Sequence, residues 1–295
     1  MKNMNEKEPQ KNSVESSMTQ EVPTASIPSK KEFYGMAEKM FLSPEQQELM
    51  ANLRARKINN KMKPGYNSIV LHIPHSSRVF PKGCGVGFDD LTDEEKRLID
   101  YFTDELFLPK VPDERIGSIV CPYCRLYCDV ERLANDPLEK NGLGICYRSG
   151  GRCFSNGVDA LSFYVDYQAD GAKKILSAVG PTLLIDCHSF SRVPTLLNSD
   201  ALDVDICIGF NADDSRPGDD VIDGVVSYFR SCGYKVGVNS PFPNSKTFLV
   251  PVKRYHSLMI EVNKRLYMHE ITETKIAGFE RLQKEITGLY DELLG

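Results

Sequence analysis

The chain has 295 residues, of which 41% are hydrophobic and 26% are charged, which is typical of a globular protein with a sizeable core. Its net charge of -5 gives no electrostatic basis for nucleic-acid binding, which calls for a basic surface. No apolar run approaches the ~20 residues of a membrane span, and the N-terminus lacks the apolar region of a signal peptide. We therefore expect a cytoplasmic protein without nucleic-acid or membrane partners.

The first 34 residues are polar and rich in Ser, Glu, Lys and Pro, which predicts a disordered N-terminal tail. Residues 35–295 contain no long linker and no internal repeat, so we expect a single domain there. Its first helix is predicted to begin near Ser43, which can cap it, with Pro44 at the first helical position and Gln46 completing a capping box.

A second helix is predicted over the stretch "LTDEEKRLIDYFTDELF", residues 91–107. Thr92 can cap it, and Glu95 stands three residues later, as a capping box requires. Its apolar residues recur at helical spacing; they are Leu98, Ile99, Phe102 and Leu106.

Short apolar runs then alternate with helical stretches. The predicted strands are "SIVLHI", "GSIVC", "RLYCDV", "TLLIDC", "DICIGF", "YKVGV" and "SLMIEV", and the predicted helices cover residues 159–179, 219–231 and 271–294. This alternation predicts an α/β layered domain built on a mixed, largely parallel sheet.

The nine cysteines are expected to be reduced, because their number is odd and no secretory signal accompanies them. The tightest group is Cys121, Cys124 and Cys128 in "CPYCRLYC". One CxxC pair falls short of the four ligands of a structural zinc site, so we expect these three to be small core residues.

Two predicted strands end in the same pair of residues, histidine followed by serine. "SIVLHIPHSS" carries His75 just past its strand, and "TLLIDCHSFS" carries His188. The carboxyl ends of parallel strands share one edge of a sheet, where α/β proteins place their ligand crevices. Both imidazoles are therefore expected to face one pocket.

Carboxylates accompany these histidines. In "LYCDVERL" the alternation of a strand would place Asp129 and Glu131 on one face, with Arg132 beginning the other, while "SLMIEVN" delivers Glu261 at a strand end. A zinc hydrolase needs histidine and carboxylate ligands, an open position for water and a carboxylate base. Asp186 is a further carboxylate, suited to orienting a ligand.

These residues also fit simpler roles. A histidine after a strand commonly forms an ordinary hydrogen bond, and the acids of "DVER" would form a buried ion pair with Arg132. Ser76 and Ser189 would then cap following helices. Spacing alone leads only to an α/β hydrolytic enzyme whose metal dependence stays open.

Several motifs in order narrow this reading. "HIPHSS", "RLYCDVER", "GLGICY", "LLIDCHSFS", "DICIGF", "NSPF" and "SLMIEVNKRLYM", over roughly residues 66–270, resemble the N-formylglutamate amidohydrolase family. The resemblance implies a three-layer α/β/α sandwich related to zinc-dependent exopeptidases. It also implies hydrolysis of N-formyl-L-glutamate to formate and glutamate, a step of histidine degradation, or of a related small-molecule N-acyl amino acid.

The resemblance also implies roles for individual residues. His75 and His188 become ligands of Zn²⁺ or another divalent metal, and Asp129 is slightly favoured over Glu131 as the third ligand. Glu261 becomes the general base. The expected substrate-binding residues are Arg132, Arg192, Arg254, Ser76, Ser189 and Asn239.

Two positions depart from the family pattern. Ser77 stands where the family usually has glycine after "PHS", and its Cβ is expected to narrow the approach to the metal. Asn244 stands where a glycine-containing turn follows "NSPF", and asparagine tolerates the left-handed backbone that such a turn requires.

Two other functions remain open. One is a serine hydrolase that uses Ser76 or Ser189 with a histidine, although the sequence lacks a G-x-S-x-G motif. The other is a non-catalytic binding protein on the same fold. The oligomeric state is not predicted.

Overall fold

The computed structural model describes residues 65–133, 136–195, 203–248, 250 and 252–294. The predicted tail, the start of the domain at residue 35 and the helix predicted from Ser43 lie outside the described residues. Within them, no helix has both the length and the apolar character needed to cross a membrane.

A six-stranded sheet forms the centre of the described part of the chain, in the order β2-β1-β5-β8-β6-β7. The strands are β1 (Ser68–Ile73), β2 (Ile116–Val120), β3 (Arg148–Ser149), β4 (Arg152–Cys153), β5 (Thr182–Phe190), β6 (Ile206–Gly209), β7 (Val236–Val238), β8 (Tyr255–Asn263), β9 (Met268–His269) and β10 (Thr274–Lys275). All neighbours in the sheet are parallel except β6 and β8. The pairs β3-β4 and β9-β10 are small separate hairpins.

Helices cover both faces of this sheet. They are α1 (Asp93–Lys96), α2 (Thr103–Phe107), α3 (Gly157–Ser177), α4 (Asp219–Ser231) and α5 (Gly278–Leu294). The helix predicted at 219–231 is confirmed, and the one predicted at 159–179 begins two residues earlier. The last helix begins at Gly278 instead of residue 271, because the chain first completes the β9-β10 hairpin.

The core divides into two parts because side chains alternate between the faces of each strand. On one face, Val70 and Leu184 of the sheet pack with Tyr164 of α3. On the other face, Leu71 and Ile185 pack with the buried sides of α4 and α5. The predicted three-layer α/β/α fold with a mixed, largely parallel sheet is therefore confirmed.

The single helix predicted over residues 91–107 is wrong. Thr92 and Glu95 do form the predicted capping box, but α1 ends at Lys96. The amide of Asp100 donates to the carbonyl of His75 (2.9 Å) instead of continuing the helix, and Phe102 adopts a left-handed backbone (φ 63) before α2 begins. A contact with another part of the chain has overridden the helical pattern.

The strand predicted for "RLYCDV" is also wrong. The amides of Tyr127 and Cys128 both donate to the carbonyl of Cys124, which makes a turn after β2. The thiols of Cys121 and Cys124 are buried, and burial raises the pKa of each to about 12. Their prediction as small core residues is confirmed.

Gly171 marks the closest approach of α3 to the core. A Cβ at this position would lie 2.1 Å from the Phe248 ring. We therefore expect Gly171→Ala to destabilise the fold by about 1–3 kcal/mol, although alanine favours helix. Gly224 in α4 is the matched control, because a Cβ there meets nothing within 4 Å and Gly224→Ala should stabilise. Urea unfolding measures both; a gain in stability for Gly171→Ala would contradict the packing.

Candidate metal centre

The strand register brings four polar side chains to one face of the sheet. His188 of β5 lies directly opposite Glu261 of β8, and Asp186 of β5 lies opposite His72 of β1. Residues two apart on a strand share a face, so Asp186 and His188 point the same way. This is the face covered by α3, at the carboxyl ends of the central parallel strands.

His75, His188 and Asp100 form a compact group at this edge. The Nδ1 atoms of the two imidazoles are 3.3 Å apart, and Asp100 Oδ2 lies 3.2 Å from His188 Nδ1 and 3.6 Å from His75 Nδ1. In a tetrahedral zinc site with bonds of about 2.0–2.1 Å, ligand atoms are separated by about 3.4 Å. The spacing of the three atoms therefore fits one such ion.

The other nitrogen of each imidazole faces carboxylates. His75 Nε2 lies 2.9 Å from Asp129 Oδ1, while His188 Nε2 lies 3.1 Å from Asp186 Oδ1 and 3.4 Å from Glu131 Oε2. A neutral imidazole whose Nε2–H donates to such a carboxylate presents an Nδ1 lone pair to the group. This is the usual support of metal-binding histidines.

Without a metal the same carboxylates favour a protonated imidazole at His188. Burial lowers the pKa of His188, but Asp186, Glu131 and Asp100 outweigh it and hold the pKa well above its ordinary value. Asp100 responds in the opposite sense: burial raises its pKa, and its contacts with His188 and His75 lower it overall. The group is therefore suited to hold positive charge.

Asp100 was not among the residues predicted from the sequence. It sits among apolar residues in the predicted second helix, and a carboxylate on such an apolar face is the signal that would have pointed to it. Asp100 is 2% exposed, and the hydrogen bond from its backbone amide to the His75 carbonyl fixes it beside that histidine.

Asp129 takes a different position from the one predicted. It lies behind His75, away from His188, where it also accepts hydrogen bonds from Arg125 (2.8 Å) and the Tyr147 hydroxyl (2.7 Å). Burial raises the pKa of Asp129, but Arg125 and then His75 outweigh it and hold the pKa well below its ordinary value. Asp129 is thus an anion that orients His75.

Glu131 belongs to a second group with His72 and Asp186. His72 Nδ1 lies 2.8 Å from Asp186 Oδ1, a hydrogen-bond distance, and 3.2 Å from Glu131 Oε1. The backbone amide of Lys246 donates to the other oxygen of Asp186 (2.8 Å). Asp186 and Glu131 of this group lie against Nε2 of His188. Asp186 is therefore placed to orient that histidine, the role to which the sequence suited it.

Glu261 stands apart from both groups. Its Oε2 atom is buried and has no hydrogen-bond partner within the described part of the chain. Burial raises the pKa of Glu261 to about 8, with Asp100 and Asp186 adding to the rise and His188 opposing it. The carboxyl group opposite His188 is therefore able to exchange a proton near neutral pH.

The predicted arginines occupy three different places. Arg132 lies beside Asp129, with Nε 3.6 Å from Asp129 Oδ2 and a side chain 17% exposed. Arg192 is exposed, two residues beyond the end of β5. Arg254 precedes β8, seven residues and roughly 23 Å of strand from Glu261, so the structure does not bring it to this site.

Asn239 is also away from the centre. It follows β7, two strands beyond β8, and its Oδ1 atom accepts a hydrogen bond from the Phe210 amide (2.8 Å). In the register Val238 at the end of β7 pairs with Ile208, which pairs with Ile260, so Asn239 is separated from Glu261 sideways, by two strand spacings or roughly 10 Å. Asn239 therefore supports a turn there.

Ser76 and Ser189 are buried beside the two histidines. In the described part of the chain, neither hydroxyl is hydrogen-bonded to His75 or His188, whose ring nitrogens contact each other and carboxylates. The Ser77 hydroxyl donates to the Pro122 carbonyl (2.6 Å), which holds this side chain against the segment after β2. The left-handed backbone expected at Asn244 is confirmed (φ 72).

Comparisons with known proteins agree with this architecture. The model of the N-formylglutamate amidohydrolase family matches residues 67–268. Among solved structures, an N-formylglutamate amidohydrolase from Ralstonia eutropha JMP134 matches with a TM-score of 0.58 and 22% identity, over 76% of this chain and 92% of that chain, and shows the same fold. A gene product from Agrobacterium tumefaciens matches with a TM-score of 0.49 and 15% identity, over 77% and 92%. No curated protein matches significantly.

Proposed function

Because the chain belongs to the N-formylglutamate amidohydrolase family and is therefore an amidohydrolase, we propose that it hydrolyses N-formyl-L-glutamate, or a related N-acyl amino acid, with a divalent metal ion. One observation carries the metal dependence: two histidine Nδ1 atoms and one carboxylate oxygen lie at the mutual spacing of zinc ligands. Carboxylates also lie against the other ring nitrogen of each histidine, the arrangement that orients metal-binding imidazoles.

His75, His188 and Asp100 would hold the ion, and zinc suits their two nitrogens and one oxygen. Three protein ligands leave a position open, as in catalytic zinc sites. When bound, a divalent cation polarises a carbonyl oxygen and lowers the pKa of water toward ~7.

Glu261 is the proposed general base. It lies opposite His188 in the register, and no described residue forms a hydrogen bond to its Oε2 atom. In this position it accepts the proton of the attacking water and returns it to the leaving nitrogen of the amide. The positive charge of a bound cation would lower the pKa of Glu261 from about 8 and favour the ionised form that this role needs.

Arg132 is the proposed partner of a substrate carboxylate. Its side chain is partly exposed beside Asp129, and its Nε atom has no hydrogen-bond partner among the described residues. Guanidinium groups bind carboxylates in a bidentate manner, which would orient the acyl amino acid. Arg192 is the proposed second cation, since a glutamate product has two carboxylates.

The direct test is formate release from N-formyl-L-glutamate by the purified protein, before and after chelation and after zinc is restored. We expect release to stop with the chelator and to return with zinc. Asp100→Ala should weaken zinc binding and abolish activity, because it removes one of three ligands. Metal content is measured by elemental analysis alongside the assay.

Ser76→Ala and Ser189→Ala separate this mechanism from serine hydrolysis. Both variants should bind zinc and release formate, whereas loss of activity in one of them, with chelator resistance of the wild type, would establish a serine nucleophile. If zinc binds and N-formyl-L-glutamate is not cleaved, a panel of N-acyl amino acids locates the acyl group and side chain that the site accepts.

A further inference from the structure

The loop that carries Asp100 is held through its carbonyl groups. Residues 97–101 lie between α1 and α2 and form no regular element. The Leu98 carbonyl accepts from Arg125 (3.1 Å), and the Tyr101 carbonyl accepts from the Tyr267 hydroxyl (2.9 Å). The Asp100 carbonyl accepts from Thr103. Side chains from distant parts of the chain therefore set the path of this loop.

Lys264 supplies the remaining two hydrogen bonds. Its ammonium group donates to the carbonyls of Arg97 and Ile99, each at 2.7 Å. These carbonyls lie on the N-terminal side of Asp100, and the second belongs to the residue directly before it. Lys264 directly follows β8 and stands three residues after Glu261. One short segment therefore carries the proposed base and also bonds to the loop that carries Asp100.

The burial of Lys264 is unusual for a lysine. Its side chain is 1% exposed, and its ammonium group lies 5.8 Å from the centre of the Tyr101 ring. Burying an ammonium group without hydrogen bonds costs free energy. The two short hydrogen bonds from Lys264 to the loop are therefore strongly favoured over a buried ammonium group that lacks them. The protein thus places a fixed cation behind the loop instead of an apolar side chain.

We propose that Lys264 is a positioning residue that sets the metal affinity of the centre by holding Asp100 against His75 and His188. The inference rests on the proposed metal centre. The side-chain hydrogen bonds of Lys264 reach none of the three proposed ligands. They hold the backbone carbonyls of Arg97 and Ile99, just before Asp100. Residues that orient metal ligands typically change metal affinity by about 10- to 100-fold when they are replaced.

The first experiment measures the zinc dissociation constant by competition with a chromophoric chelator. Lys264→Met, which keeps the volume and removes the donors, should weaken zinc binding by about 10- to 100-fold. The same substitution in an Asp100→Ala background should add little, because the ligand that Lys264 positions is already gone. An equal further loss in that background would overturn the proposal, since Lys264 would then act on the fold in general.

Leu289→Ala is the control for stability. Leu289 is buried in α5, and its truncation should lower the melting temperature without weakening zinc binding in the folded protein. Should Lys264→Met fail to fold, Lys264→Gln, which keeps one amide donor, replaces it. An affinity within twofold of wild type in a folded Lys264 variant would overturn the proposal.

A neighbouring cavity permits a second, independent test. A cavity of about 510 Å³ is lined by Lys264, Arg97 and Tyr101 among others. In Lys264→Ala, n-propylammonium supplies the atoms that the substitution removes, so it should restore zinc affinity, whereas tetramethylammonium, which has no N–H donor, should not. Equal effects of the two cations would contradict the hydrogen-bonding role. Wild-type protein that binds no zinc would instead overturn the proposed function.

Discussion

Glu261→Gln is expected to lower the turnover of N-formyl-L-glutamate by about 10²- to 10⁴-fold while leaving bound zinc unchanged. Glutamine has the same shape but cannot accept the proton of the attacking water. Glu261 also lies outside the group formed by His75, Asp100 and His188, so its replacement removes no proposed ligand. Single-turnover formate release and metal content, measured on the same sample, test both halves of this expectation.

Glu285→Gln is the matched control. This glutamate lies on α5, where Arg281 and Tyr234 bind its carboxylate, and its replacement should leave turnover unchanged. Loss of zinc from Glu261→Gln would make Glu261 a ligand instead of a base. Full turnover in that variant would assign proton transfer to another group.

The raised pKa of Glu261 also predicts how the stability of the metal-free protein depends on pH. A carboxyl group whose pKa rises from 4.5 to about 8 on folding contributes stability that is fully present below pH 4.5 and is lost as the pH rises through 8. The melting temperature of the wild type should therefore fall relative to that of Glu261→Gln between about pH 5 and pH 8. A constant difference across this range would contradict the buried, protonated state.

Asp129→Ala is expected to destabilise the protein by about 3–5 kcal/mol, the usual cost of removing one partner from a buried ion pair. Asp129 is 0% exposed, and Arg125, which donates to it, is 6% exposed. Without the carboxylate the Arg125 guanidinium stays buried and loses its counter-ion, and the Tyr147 hydroxyl loses its acceptor. Urea unfolding of the metal-free protein measures this loss.

The same variant should also weaken zinc binding, because His75 loses the carboxylate that fixes its tautomer. Asp113→Ala is the control, since it breaks the exposed pair with Arg115 and should change neither stability nor zinc affinity appreciably. If Asp129→Ala were as stable as Asp113→Ala, the buried network would not be the main support of this region.

Parts of this protein follow from local sequence alone. The capping box of Thr92 and Glu95, the helix over residues 219–231 and the strands around "SIVLHI" and "TLLIDC" depend on neighbours in sequence. Local hydrogen bonds and hydrophobic periodicity are sufficient to specify such elements. The placement of His75 and His188 at one sheet edge follows in turn from parallel strands that end in the same residues.

Two local patterns were misleading for one reason. "RLYCDV" alternates like a strand and "LTDEEKRLIDYFTDELF" repeats like a helix, yet each contains a residue that bonds to His75: Asp129 through its side chain and Asp100 through its amide. Both segments follow irregular paths that place these residues around the imidazole. Buried carboxylates must be hydrogen-bonded or paired, and that requirement outweighs the weak preference of a short segment for helix or strand.

The sequence by itself determined the layered fold, the two histidines and the candidate base, because each depends on periodicity or on the end of a strand. Only the tertiary structure decided which carboxylate joins the histidines. Asp129 stands behind His75, Glu131 and Asp186 stand behind His188, and Asp100 completes the group. The loop that carries Asp100 is hydrogen-bonded to Lys264, directly after β8, which is more than 150 residues away in sequence. No local pattern encodes a contact of that range.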